Sequence, residues 1–212
     1  MEGIIKETFR EWTKGEATDR ARVSVFEHIR DIPYAIDLKL FDNEKSSEAM
    51  IKKNKGFCVS KHYLLGVMFK ELGIPVKYCS YPFRWSELKA ISSDSLKAAA
   101  EKLPVTYHFA CEAYIVNRWI LIDATWDRAL KTAGFPINDR WDGKSSMLNA
   151  VMPLKVSQRL GRRVESLSEG RAEEVYDFPE KLKLFRFSMM FNKWLSDLRE
   201  NGDEISPLQK RW

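Results

Sequence analysis

The sequence predicts one mixed fold in which helices and antiparallel strands are segregated, with a helical wrap at its C-terminal end. Three observations carry this. A helical run from Cys58 is apolar nearly all round, with Tyr63, Leu64, Leu65, Val67, Met68, Phe69 and Leu72; such a helix is buried inside a domain. Residues 105–116 and 119–125 are dense in Tyr, Ile, Val, Phe and Trp around Asn117-Arg118, which reads as a β-hairpin. Helical patterns flank both on the N- and C-terminal sides.

In chain order, Thr18 opens a helix as its N-cap, and Val25, Ile29 and Ile32 recur on one stripe before Pro33. Ile32-Pro33-Tyr34 is an extended exit. Ser46 or Ser47 caps a short helix through Met50 and Ile51. A glycine turn at Gly56 then delivers Cys58 to the start of the apolar helix, which Gly73 and Pro75 end. Residues 76–83 alternate as a strand, and 92–102 form an Ala- and Lys-rich surface helix stopped at Pro104. After the hairpin, 132–154 is irregular, with two Gly and two Pro, and wraps the surface. The charged run 159–174 is a candidate mobile segment. Asp177-Phe178-Pro179 opens a last helix ending near Gly202. Its Leu182, Phe185, Met189, Trp194, Leu195 and Leu198 read as core or docking contacts. The division expected is a core over 1–154 and a C-terminal helical extension over 155–212 packed on it.

Composition narrows the function. The 212 residues carry 44% hydrophobic and 31% charged side chains, ordinary for a globular protein, and seven Trp with twelve Phe argue against disorder. The formal charge of +5 is too mild to indicate a nucleic-acid partner. No run of 18 apolar residues is present, so no membrane span is expected. The first twelve residues hold Glu2, Lys6, Glu7 and Arg10 and lack the apolar core of a secretion signal. Three cysteines, Cys58, Cys79 and Cys111, argue for a reducing compartment, the cytoplasm by default. No CxxC pair exists, so neither a metal nor another cofactor is expected.

Chemistry centres on Cys58. A thiol in the first turn of a helix faces unsatisfied N–H groups and the positive end of the dipole, which favours the nucleophilic thiolate. A nucleophile needs a base, and the base an orienting partner. Of the three histidines, His28, His62 and His108, His28 lacks an evident partner. His62 lies four residues after Cys58 and reads as a structural or cleft-edge residue. A metal site built from Cys58, His62 and His108 lacks a second ligand pair at zinc-like spacing. Strand parity puts His108 on the hairpin face of Asp123. Two registers satisfy that parity. A loop of Asn117-Arg118 sets Asp123 opposite Glu112, about 13 Å along the strand from the His108 level. A loop shifted by one residue, or of four, sets Asp123 opposite Ala110, with His108 its diagonal neighbour at about 7–8 Å. A catalytic pairing requires the second. Cys79 and Cys111 read as small buried hydrophobes.

Gly56-x-Cys58, the helix end Leu72-Gly73-Ile74-Pro75, His108-x-x-x-Glu112-x-Tyr114 and Trp119-x-x-x-Asp123-x-Thr125 together resemble the transglutaminase-like core in order and spacing, over roughly residues 18–127. The resemblance implies a papain-like α+β fold, the cysteine helix packed on an antiparallel sheet. It also implies Cys58 as nucleophile, His108 as base and Asp123 as orienter. Ala110 departs from the family, which often has Trp there, and is expected to widen the space beside His108. The segment 86–104 is longer than a minimal strand connection and is expected to border the cleft. The activity implied is acyl transfer or hydrolysis at a peptide, isopeptide or amide bond of a protein or peptide substrate. The Cys58 N–H is one candidate oxyanion donor; Tyr34 is another, kept outside the site set. The competing class is a non-catalytic peptide-binding or scaffolding module on the same fold.

Overall fold

The computed structural model describes residues 3–37, 43–155 and 176–205. The charged run 159–174 lies outside them. Four helices precede the first strand: α1 (Gly3–Trp12), α2 (Thr18–Asp31), α3 (Asn43–Lys53) and α4 (Cys58–Glu71). Strand β1 (Val76–Phe83), helix α5 (Asp94–Ala100), strands β2 (Thr106–Ile115) and β3 (Arg118–Ile122), and helix α6 (Phe178–Ile205) follow. The strands form one antiparallel sheet in the order β1-β2-β3. The fold is α+β.

The apolar helix is α4. Its end is a Schellman motif: Ile74 N–H donates to Phe69 C=O at 2.9 Å and Gly73 N–H to Lys70 C=O at 3.0 Å. Gly73 adopts φ +74°, a conformation glycine reaches without strain. Two apolar clusters meet along α4. Leu64, Leu65, Met68 and Phe69 pack with α2 and with Cys111, Ala113, Ile120 and Ile122 of the sheet. Cys58 and Tyr63 belong to the other cluster, with Tyr34, Trp85, Phe109, Trp126 and α6.

Several expectations are resolved or corrected. Of the two hairpin registers left open, the structure takes the shifted one, with Val116-Asn117 as the loop. Ile115 pairs with Arg118 and Cys111 with Ile122, while Val116 and Asn117 both have positive φ (48° and 59°), as a type I′ turn demands. Residue α1 onset was not expected; Ile5, Phe9 and Trp12 give it a stripe, with Ile5 buried. The N-cap of α2 is Ala17, not Thr18. Ser46 and Ser47 lie inside α3 and are buried rather than capping it. In α5, Leu96 and Ala100 are buried, and Leu88, Leu96, Ala100 and Leu103 pack into the cluster of Cys58.

Helix α6 opens on a reciprocal cap. Glu180 N–H donates to Asp177 Oδ1 at 2.8 Å, and Asp177 N–H to Glu180 Oε2 at 3.1 Å. It continues through Gly202 to Ile205. Its packed face is Phe187, Phe191 and Leu195, joined by Trp194 and Leu198, whereas Leu182, Phe185 and Met189 are exposed. Arg199 donates to both carboxylate oxygens of buried Asp127 (3.2 and 2.6 Å) and to Tyr34 C=O (3.0 Å). Asn192 exchanges two hydrogen bonds of 2.8 Å with the backbone of Ile36. These ties fix α6 to the segment leading toward Gly56. Among the described residues, no helix is long and apolar enough to cross a membrane.

Candidate active site

Cys58 is the first residue of α4, and its position is built from the backbone around Gly56. Gly56 N–H donates to Pro33 C=O at 3.1 Å, and Ala35 N–H to Gly56 C=O at 2.8 Å. This parallel bridge lays Tyr34 beside Gly56. Phe57 is extended (φ −121°, ψ −178°), and its N–H donates to Ser60 Oγ at 3.1 Å, half of a capping box. A methyl group on Gly56 would come within 2.6 Å of Ser60 Oγ and of Met50 Cγ. Gly56→Ala is therefore expected to lose about 1–3 kcal/mol by overpacking, read as a lower urea midpoint at unchanged m-value.

His108 lies on β2 opposite Tyr81, whose ring stacks on it at 6.3 Å. Its Nε2 donates to Asp123 Oδ2 at 2.8 Å, and Cys58 lies near enough to favour charge on the ring. With Nε2 committed to the carboxylate, Nδ1 is the atom left for sulfur. The observed register, extended one step past β3, sets Asp123 opposite Ala110, as a His108–Asp123 pairing requires. Asp123 is buried and accepts three further bonds. These come from Ala150 N–H to Oδ2 (2.8 Å), Thr125 N–H to Oδ1 (3.1 Å) and the Thr125 hydroxyl to Oδ1 (2.6 Å). Cys58, His108 and Asp123 are thus brought together, and all three are buried; Cys58 is 7% exposed.

The electrostatics follow from that burial. Desolvation opposes charge on His108, but the Asp123 carboxylate and Cys58 outweigh it and push the imidazole up to about 10. Burial likewise opposes charge on Asp123. The His108 charge and hydrogen bond, then His62 and Thr125, hold it well below the usual carboxylate range. Burial pushes the Tyr34 hydroxyl well up, with Cys58 and Asp123 adding to the effect.

The remaining candidates fall elsewhere. Burial raises the thiols of Cys79 and Cys111; Cys111 is fully buried under α4 and Cys79 is half-buried. His62 is fully buried, with one ring nitrogen on Cys58 C=O and the other on Ala124 N–H, so neither is open to a metal. His28 stacks on Trp12 at 4.8 Å. Ala110 is fully buried. Sequence reasoning missed Ala150, whose backbone reaches Asp123 from 27 positions away with no side-chain signal. It also missed Lys61, whose charge in an otherwise apolar helix was a signal.

A family model described as the transglutaminase-like superfamily matches residues 6–124, and the chain belongs to that superfamily. It is similar in structure to a proposed cysteine protease from Cytophaga hutchinsonii, at 22% identity and TM-score 0.40, over 57% of this chain and 36% of that one. It is also similar to a proposed protease from Parabacteroides distasonis, at 16% identity and TM-score 0.39, over 57% of this chain and 23% of that one. The chain thus spans about a third or less of those proteins. No curated protein matches it.

Proposed function

We propose that the protein carries out thiol-dependent acyl transfer or hydrolysis at a peptide, isopeptide or amide bond, with Cys58 as nucleophile, His108 as base and Asp123 as orienter. One observation supports this above the rest: a single imidazole bonded to a carboxylate at 2.8 Å and lying beside a helix-terminal thiol whose charge acts on it. A charged imidazole beside sulfur stabilises a thiolate. The thiolate attacks the carbonyl carbon, forming a C–S bond and moving the C=O electron pair onto oxygen. The Cys58 N–H at the α4 terminus donates to that oxyanion in this reading. The C–N bond breaks as His108 gives its Nδ1 proton to the leaving amine. Water or a second amine then attacks the thioester, His108 recovers a proton, and the C–S bond breaks to restore the thiolate. Asp123 stays ionised throughout.

The substrate class is a protein or peptide amide. Three free thiols fit a reducing compartment such as the cytoplasm. A thiol-directed acyl probe is expected to label Cys58 in the wild type and to leave Cys58→Ala unlabelled, read by peptide mass. Labelling of Cys79 or Cys111 with Cys58 inert would refute the assignment. Ligand binding that is unchanged in Cys58→Ala and shows no turnover would favour the scaffolding module instead.

A further inference from the structure

Lys61 and His62 follow Cys58 by three and four residues in the first turns of α4. The helix is otherwise nearly all apolar, yet both side chains are fully buried. An ammonium removed from water costs several kcal/mol unless its surroundings compensate. Lys61 Nζ donates to Arg30 C=O and to Thr125 C=O, each at 2.9 Å. Arg30 C=O belongs to the last turn of α2, where unpaired carbonyls and the dipole favour a cation. Thr125 is the residue that binds Asp123 Oδ1 through both its N–H and its hydroxyl.

His62 reaches the same segment. Ala124 N–H is a donor, so His62 Nε2 accepts from it at 3.1 Å; Nδ1 then carries the proton and donates to Cys58 C=O at 2.7 Å. Burial holds the ring neutral, pulling it down to about 4. The two residues directly after Asp123 are therefore each gripped by a side chain of the helix that carries Cys58. An apolar residue at either place would leave Thr125 C=O or Ala124 N–H buried without this partner.

We propose that Lys61 and His62 are positioning residues, locking the Asp123 segment onto the first turn of α4 so that His108 meets carboxylate and sulfur at once. The inference rests on the reading of Cys58 as nucleophile. A displacement of about 1 Å at such a site costs about 10²-fold in rate.

The test is iodoacetamide alkylation of Cys58 in the full chain across pH, followed by the mass of its peptide. A free thiol reacts appreciably only as its thiolate forms, toward about pH 8. A sulfur paired with charged His108 is expected to keep reacting near pH 6, and His108→Ala to lose that acid-side rate. Lys61→Met and His62→Leu, each with native circular dichroism, are expected to lose it at least about 10-fold. Each variant reads its own tie, so one that folds is enough. His62→Gln, which keeps a donor and an acceptor, is expected to recover most of the rate. A merely structural role would lower the urea midpoint and leave the profile alone. An unchanged profile in a folded Lys61→Met or His62→Leu overturns the inference while leaving the nucleophile in place. A wild-type profile identical to that of His108→Ala overturns the nucleophile itself.

Discussion

Asp123→Ala is expected to lose about 3–5 kcal/mol of stability, the cost of removing one partner from a buried charge pair. The reason lies in how many donors converge on this one carboxylate. His108 Nε2, Ala150 N–H, Thr125 N–H and the Thr125 hydroxyl all point at it within 3.1 Å, and water does not reach them. Each buried donor left without an acceptor costs about 1–3 kcal/mol. Against a typical stability of about 5–15 kcal/mol, the variant is expected to be at or near the edge of folding. Asp123→Asn separates the electrostatic part from the packing part. It keeps the shape and one acceptor oxygen but removes the charge that holds His108 protonated. We expect it to fold and to acylate about 10²–10⁴-fold more slowly. Urea midpoints measure the first effect and single-turnover acylation of Cys58 the second. An Asp123→Asn variant as fast as wild type would mean that His108 needs no orienter.

Much of this site was legible in the residues. The glycine turn, the apolar run and Gly73 locate the cysteine helix because each rests on local backbone physics. Strand parity places His108 and Asp123 on one face for either two-residue loop, because shifting such a loop by one residue moves the pairing by two positions. The register itself was hidden by Val116. A β-branched residue at φ +48° is rare, so nothing in the sequence favoured the shifted loop over Asn117-Arg118, and only the observed turn sets Asp123 at the level of Ala110. The α6 faces misled for a different reason. The helix carries one stripe of Phe187, Phe191 and Leu195 and another of Leu182, Phe185 and Met189, and periodicity alone ranks them equally. Tertiary packing chose the first, where Trp85 lies 5.0 Å from the rings of both Phe187 and Phe191. The struts of the site were the least legible part. The pairing of Asp127 with Arg199 spans 72 positions, and half of the bonds at Asp123 come from backbone N–H groups, which every residue type supplies alike.

Lowering the pH from about 6.5 to about 4 is expected to cost about 3 kcal/mol of stability through His62 alone. Burial, aided by repulsion from His108 and Lys61 and opposed by Asp123 and the Cys58 carbonyl, lowers this ring from its ordinary 6.5 to about 4. Between those values the unfolded chain takes up a proton that the folded chain refuses, so stability falls as the pH falls through the window. Asp123 adds to the loss further down. Its folded pKa is depressed, so its stabilisation is full above the ordinary carboxylate value and disappears below it. The alkaline side is different because two buried groups oppose each other. His108, raised to about 10, contributes fully below about 6.5 and loses that contribution as the pH rises through 10. Lys61 is lowered from 10.5 to about 7, chiefly by burial, so the unfolded chain holds the extra proton over that range and stability rises with pH. The expected curve is steep toward acid and shallow toward base, measured as urea midpoints at a series of pH values. His62→Leu should flatten the acid limb between about 4 and 6.5. An acid limb equally steep in that variant would mean that His62 is not the neutral strut joining Cys58 to Ala124, and the convergence of helix and hairpin at sulfur would then need another explanation.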